Sequence, residues 1–239
     1  LTGGIGAYSS IKGTVDDVQA VQGIVVFSGK ALARNHAVLT ELLKDTVNHA
    51  RFDELDRLKE LVAQMRARKE QSVTSNGHGL AMGIASSKMS PAAYLSYQLG
   101  GVQGIKSIKA LDDALSDDAM LSKFATQLQA IHDRVCQSAR QYLVVAESEV
   151  ASDVARHISA CHADFKVGDT DSFTLPAVRE TVKEAWLTST QVSFCAKAYP
   201  TVAIGNDDAP ALTVLGGFLR NGYLHRTIRE QGGAYGGGA

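Results

Sequence analysis

Apolar residues recur every three or four positions from Leu39 to Ile131, and this helical period most limits what the chain can fold into. The first two stretches with this spacing contain Leu39, Leu42, Leu43 and Val47, and then Leu55, Leu58, Val62 and Met65. Asp53 stands before the second stretch as a candidate N-cap. The pattern predicts two consecutive amphipathic helices. The charged positions of the second helix are expected to face solvent.

A β-rich, glycine-flanked opening precedes these helices. "GIVVFSGKAL" (Gly23 to Leu32) is predicted to be a strand, with the earlier "GGIGAYSS" as its antiparallel neighbour. After the helices, "SNGHGLAMGIASSKMSP" contains Asn76-Gly77, which suits either a turn or close helix packing. We leave that boundary open.

Helical spacing continues beyond Pro91. "GGVQG" (Gly100 to Gly104) resembles a phosphate loop only superficially, because no strand precedes it and no Lys-Ser or Lys-Thr follows it. We therefore predict a break between two helices there. The next helix is predicted to carry one apolar stripe, formed by Met120, Phe124, Leu128 and Ile131.

The remaining elements suggest a domain boundary. "QYLVVAE" (Gln141 to Glu147) is predicted to be a short buried strand, and Ser148 to Phe165 a helix. Residues 166–181 are rich in Gly, Asp, Ser, Thr and Pro, as a linker would be. "TQVSFCAKAYP" then alternates like a half-buried strand, and Asp208 and Pro210 open a final helix. The residues of that helix expected to face a sheet are Leu215, Phe218, Leu219 and Ile228.

Charge, cysteine and histidine exclude several classes of function. The 239 residues carry a net charge of -1, which gives no reason to expect nucleic acid or a membrane surface as a partner. Cys136, Cys161 and Cys195 are too few and too widely spaced for a disulfide framework, and we predict buried thiols. His157 and His162, in "HISACH", are five apart and do not share a helix face. Because no H-x-x-E-H occurs either, we expect no metal in this chain.

The chain ends in "IREQGGAYGGGA". Arg229 lies in the last turn of the predicted helix, and "GGAY" lets the backbone turn so that Tyr235 comes near it. Both side chains are donors and together would stabilise negative charge on a carbonyl oxygen. The alternative is structural: Arg229 caps the helix, and Tyr235 begins a strand as a packing residue.

"LRNGYLHRTIREQGGAYGGGA" closely resembles the C-terminal half of presequence proteases, zinc metallopeptidases of the pitrilysin or insulinase superfamily with an inverted H-x-x-E-H motif. "TGGI", "ALARNHAVLTELLKDTV", "FDELDRLKELVAQ" and the "SP" before "AAYLSYQLGGVQG" are similar to that family's later portion. The resemblance therefore covers nearly the whole chain.

The resemblance implies an α+β fold in which helices pack on a mainly antiparallel sheet, here truncated at both ends. Residues 1–165 would be the remainder of the third family domain, 166–181 a linker and 182–239 the start of the fourth. Zinc and the glutamate base would lie in the missing N-terminal half of the same polypeptide, which would close with this half around unfolded peptides. Arg229 and Tyr235 would stabilise the substrate oxyanion. The fragment alone is expected to be inactive.

Some questions stay open at this level. A catalytically silent family member, serving as a structural or peptide-binding subunit, shares the fold, although the presence of both Arg229 and Tyr235 favours the peptidase. A nucleotide-binding protein is disfavoured because phosphate loops open a helix, whereas this glycine run closes one. No leader reveals the compartment, which would be cytoplasm or periplasm in a bacterium and an organellar matrix in a eukaryote.

Overall fold

The computed structural model describes residues 2–168 and 173–239, in which a β-hairpin is followed by helices. The strands are β1 (Ile5–Gly13) and β2 (Val21–Gly29). The α-helices are α1 (His36–Asn48), α2 (Leu55–Ser75), α3 (Gly77–Ser86), α4 (Pro91–Gly100), α5 (Val102–Ala114), α6 (Asp118–Gln137), α7 (Ser148–Cys161) and α8 (Ala209–Phe218). A 3-10 turn, Ala33–Asn35, leads into α1, and a π-helix, Leu219–Gln231, continues α8. This content confirms the α+β class.

The predicted hairpin is confirmed. β1 and β2 are antiparallel, with Ile5 opposite Gly29 and Gly13 opposite Val21. A Cβ atom on Gly29 would lie 2.6 Å from Leu39 Cδ1, so α1 packs closely on the end of β2 because that position has no side chain. The hairpin and the first helix thus form one packed unit.

The main apolar core lies where α2, α5 and α6 meet. Val62, Leu115 and Leu121 are buried there, each contributed by one of these helices or its end. The residues packed around them are Leu55, Leu58, Ile108, Leu111 and Phe124. Burial of such side chains contributes about 1.5 to 3 kcal/mol each.

Arg66 joins α2 to α5 at the edge of this core. Its Nη1 donates to Asp112 Oδ2 and Asp113 Oδ1, both at 2.9 Å, and its Nε donates to Glu70 Oε1 at 3.0 Å. The hydrogen bond to Asp112 is the main reason that the pKa of Arg66 is raised. This network supplements the apolar contacts between the two helices.

The helix breaks follow local sequence signals. Asn76 separates α2 from α3, so the boundary left open is a break followed at once by another helix. Gly101 separates α4 from α5, which confirms the interpretation of "GGVQG". Ser90 Oγ caps α4 by accepting from the Ala93 N–H at 3.2 Å.

Two local predictions in this region are wrong. Asp53 does not cap α2, because its carboxylate binds the Arg51 guanidinium at 3.0 and 3.1 Å and the helix begins at Leu55. On α6, Met120 is 44% and Ile131 60% exposed, whereas Leu121 and Ala125 are buried. The predicted stripe is rotated by about one residue, since helical spacing alone does not reveal which face meets the neighbouring helices.

The predicted strands at Gln141 to Glu147 and in "TQVSFCAKAYP" are also wrong: among the described residues, β1 and β2 alone form a ladder. Leu143 and Val145 are 90% and 92% exposed. A strand requires a partner that accepts and donates its backbone hydrogen bonds, and no described edge pairs with either segment. Alternation of apolar residues cannot supply that partner.

The final helix is confirmed in its start but not in its environment. Asp208 precedes α8 and Pro210 lies in its first turn, as predicted. No strand of the described ranges packs on it, and Phe218 remains 70% exposed. None of the helices in residues 2–168 and 173–239 is long and apolar enough to cross a membrane. The domain division stays a prediction, and residues 169–172 of the proposed linker lie outside the described residues.

Candidate functional site

The helix that leads to Arg229 and Tyr235 changes its winding at Leu219. In a π-helix each carbonyl bonds to the N–H five residues later, and this wider turn is rare and often found at functional sites. His225 Nδ1 and Glu230 Oε1, five residues apart, lie 3.4 Å from each other along it. The last turn carries Arg229.

A glycine turn ends this helix. The Gly232 N–H donates to Thr227 O at 3.0 Å, and the Ala234 N–H donates to Ile228 O at 3.1 Å. Between them Gly233 has a φ of 70°, in the left-handed region that favours glycine. The chain therefore reverses direction where "QGGAY" predicts that it would.

Both candidate site residues project into solvent on either side of this turn. Arg229 is exposed in the last helical turn, and Tyr235 is 93% exposed two residues after Gly233. Within the described residues neither side chain has a hydrogen-bond or ion-pair partner, so the two are near in sequence but not bonded to each other. Tyr235 is therefore not a core packing residue in this chain. Its catalytic role stays a prediction.

The glycines after Tyr235 bring the chain back along the helix. A Cβ atom on Gly237 would lie 2.8 Å from Ile228 Cδ1, and one on Gly238 would lie 3.9 Å from Arg220 Cδ. One on Gly216 would lie 3.7 Å from the carbonyl carbon of Ala239. The run of small residues thus permits close packing of the tail, with Tyr235 at the outer end of the loop.

A second group of reactive side chains lies between α1 and α7. Cys161 Sγ donates to Glu41 Oε1 at 2.9 Å and is 3.4 Å from His157 Nε2. The three potential ligand atoms all lie within 4.8 Å of one another. The thiol–carboxylate hydrogen bond lowers the pKa of Glu41 and raises the pKa of Cys161. We call Glu41, His157 and Cys161 the α1–α7 cluster.

Other histidines border this cluster. The His36 ring meets the His157 ring edge-on with centroids 5.6 Å apart, and His36 Nδ1 is buried without a hydrogen-bond partner. His162 turns away toward Arg140 Nη1, 3.5 Å from its Nδ1, and stacks at 5.0 Å on Tyr142. Burial first, and then the charge of Arg140, lowers the pKa of His162.

The sequence reasoning on cysteine and histidine was wrong in two respects. Cys195 is exposed, and Cys136 and Cys161 are only partly buried. The statement that no histidine has a partner at usable spacing overlooked Cys161, which follows His157 by four residues on α7. That spacing was visible in the sequence. Glu41 was not, because 120 positions separate it from Cys161.

Comparison with known proteins bears on the whole chain. The family model for the associated region of the M16 peptidases, subfamily C, matches residues 1–111. Mitochondrial presequence protease of Yarrowia lipolytica is 26% identical over 245 aligned residues, covering 100% of this chain and 24% of that protein. The chain is a presequence-protease-like member of the M16 peptidase family. The Kluyveromyces lactis mitochondrial presequence protease is 29% identical over 192 residues, 77% of this chain and 20% of its own length.

Membership in this family confirms the resemblance carried by "LRNGYLHRTIREQGGAYGGGA" and its neighbours. Presequence protease 1 of Arabidopsis thaliana, named chloroplastic/mitochondrial, is 25% identical and covers 99% of this chain but 22% of its own length. The chain thus spans about a quarter or less of the relatives that it matches.

Proposed function

We propose that this chain forms part of a zinc metalloendopeptidase that degrades unfolded peptides in a closed chamber, and that Arg229 and Tyr235 stabilise the oxyanion that develops on the scissile carbonyl. The observation that carries the proposal is the exposed, unpartnered state of these two donors beside the Gly233 turn, within the described residues. A guanidinium and a phenol without internal partners are free to donate to a substrate oxygen.

The catalytic zinc of such an enzyme would be held by residues outside this chain. No H-x-x-E-H occurs in the sequence, and neither Arg229 nor Tyr235 is a ligand of the kind that the motif provides. Bound zinc would supply an activated water and Lewis acidity. The contribution of this chain would be to bind and orient the peptide and to donate hydrogen bonds, so alone it would be inactive. Its partner would be the N-terminal half of the same polypeptide.

The compartment follows from the same proposal. The relatives carry mitochondrial or chloroplastic/mitochondrial in their names, and we infer an organellar matrix for the protein that contains this chain. Subcellular fractionation with an antibody against this region would check it. Recovery in the cytosolic fraction would contradict the inference.

The test of the site uses the intact protein. If the Tyr235 hydroxyl acts on charge that appears only in the transition state, Tyr235→Phe lowers kcat and kcat/KM together by about a hundredfold. Arg229→Ala is expected to be at least as damaging. Neither change should unfold the protein, since both side chains are exposed.

Two neighbouring residues provide matched controls. Tyr223→Phe and Arg226→Ala alter side chains of the same π-helix and should leave both kinetic constants nearly unchanged. Loss of activity in the controls equal to that in the site variants would show that the helix, and not the two donors, matters. Full activity of Tyr235→Phe would remove the oxyanion role.

A further inference from the structure

We propose that the α1–α7 cluster, Glu41, His157 and Cys161, is a zinc-binding site that joins α1 to α7. It is separate from Arg229 and Tyr235 and uses a thiolate, which an H-x-x-E-H centre does not. The sequence-based expectation that this chain holds no metal is replaced by this proposal.

The distances within the cluster are close to those that zinc requires. Tetrahedral zinc with sulfur at about 2.3 Å and nitrogen or oxygen at about 2.0 to 2.2 Å places its ligand atoms about 3.4 to 3.6 Å apart. Cys161 Sγ is 3.4 Å from His157 Nε2 and 2.9 Å from Glu41 Oε1, and no pair exceeds 4.8 Å. Small side-chain rotations would therefore open the cluster around one ion.

The set of donors selects the metal. Thiolate, imidazole and carboxylate together suit a borderline-soft ion such as Zn²⁺ better than Mg²⁺ or Ca²⁺, which prefer oxygen alone. Two ligands come from one turn of α7, at positions i and i+4, and the third comes from α1. Three protein ligands leave the fourth position for water.

Binding exchanges a proton for the metal. The Cys161 S–H now donates to Glu41; when Zn²⁺ binds, the Sγ–H bond breaks, an Sγ–Zn bond forms and the proton passes to solvent. Glu41 and the thiolate then balance the two positive charges of the ion. His157 and Cys161 are only partly buried and Glu41 is exposed, which leaves the ion a path from solvent.

The surroundings fit a metal that binds reversibly. Lys44 acts electrostatically on both Glu41 and Cys161 and favours their charged forms, although it also opposes a nearby cation. His36, whose buried Nδ1 has no partner among the described residues, lies against the His157 ring. α7 follows a segment without strand partners in the described ranges, so a metal bridge to α1 would add a cross-link where backbone pairing adds none.

Cobalt provides a direct test. The reduced intact protein is titrated with Co²⁺ alone, and thiolate ligation is detected as near-ultraviolet charge-transfer absorption. We expect this absorption to saturate at one equivalent and to disappear when Zn²⁺ is added. Cobalt in a centre made of histidine and glutamate gives no thiolate band, so this readout is independent of the proposed catalytic zinc.

Substitutions locate the site. Cys161→Ser keeps a donor for Glu41 but abolishes the band, and His157→Gln or Glu41→Gln should weaken Co²⁺ binding by at least about tenfold. Zn²⁺ should raise the Tm of the unsubstituted protein but not that of Cys161→Ser. Circular dichroism confirms that each variant is folded.

The matched controls are the other two cysteines. Cys136 also has a histidine neighbour, with Sγ 3.4 Å from His132 Nε2, and Cys195 is exposed. Cys136→Ser and Cys195→Ser should keep the full band. A folded protein without any thiolate band, or a band lost in a control but kept in Cys161→Ser, would overturn the proposal.

Discussion

At the scale of single residues, the pKa of Tyr97 gives the sharpest expectation. Its hydroxyl donates to Glu184 Oε1 at 2.9 Å, and burial, followed by that hydrogen bond, raises the pKa of Tyr97 to about 12. An unfolded tyrosine ionises near a pH of about 10, so above that pH the unfolded state loses its proton first. The contribution of Tyr97 to stability is complete below a pH of about 10 and is lost as the pH rises through about 12.

The corresponding measurement is the free energy of unfolding from about pH 9 to about pH 12. It should fall more steeply in the unsubstituted protein than in Tyr97→Phe, which has no phenol to titrate. Tyr8→Phe, at an exposed position of β1, should retain the steep profile. Parallel profiles for all three proteins would show that the Tyr97–Glu184 contact does not form in solution.

Residue-level predictions from sequence succeeded where the determining chemistry is local. The glycine turn after Arg229 depends on adjacent residues, and Gly233 adopts the left-handed conformation. The α1–α7 cluster failed this condition because Glu41 approaches Cys161 only through the packing of two helices. Asp53 found a nearer partner in Arg51 than the helix terminus.

At the scale of elements, the end of the π-helix depends on Gly233. An alanine there would hold a Cβ atom at a φ of 70°, which costs about 1 to 2 kcal/mol. We expect Gly233→Ala to speed hydrogen exchange of the last π-helical amides by about fivefold or more. Gly236→Ala is the control, because a Cβ atom there meets nothing within 4 Å and its φ is not in the left-handed region. Equal exchange in both variants would contradict the role of the turn.

Elements differ in how far sequence predicts them. The helices from α1 to α7 were recovered because their apolar spacing and capping residues are local properties, as at Ser90. The segments at Gln141 to Glu147 and around Val192 have strand-like composition but no partner within the described residues. Nor did periodicity indicate that α8 would continue as a π-helix.

At the scale of the whole molecule, residues 173–205 form a strap across the hairpin and the helices. Phe173 lies against Gly23, and Phe194 against Gly77, positions where a Cβ atom would collide with the ring. Lys106 Nζ lies 4.0 Å above the Trp186 ring, and the Gly205 N–H donates to Val15 O at 2.9 Å. No sequence pattern indicates these contacts, because each joins residues far apart in the chain.

Gln19 is the residue that holds the strap to the hairpin turn. Its Nε2 donates to Met89 O, and its Oε1 accepts from the Val178 N–H, both at 2.8 Å. On the other side of Arg179, the Glu180 N–H donates to Lys88 O at 2.9 Å. A protease must free this backbone to cut after Arg179, although the sequence predicts residues 166–181 to be the most protease-sensitive internal stretch.

Limited trypsin digestion therefore tests both expectations. The first internal cuts should fall after Lys166 or Arg179, and early cutting between Leu55 and Met65 would refute the boundary. Gln19→Ala removes two hydrogen bonds worth about 1 kcal/mol each and should speed cleavage after Arg179 by about fivefold or more, without changing the rate at Lys166. Gln22→Ala, at an exposed position of β2, should change neither rate. If Gln19→Ala also leaves both rates unchanged, the strap is already released in solution, and residues 166–181 behave as the free linker that their composition indicates.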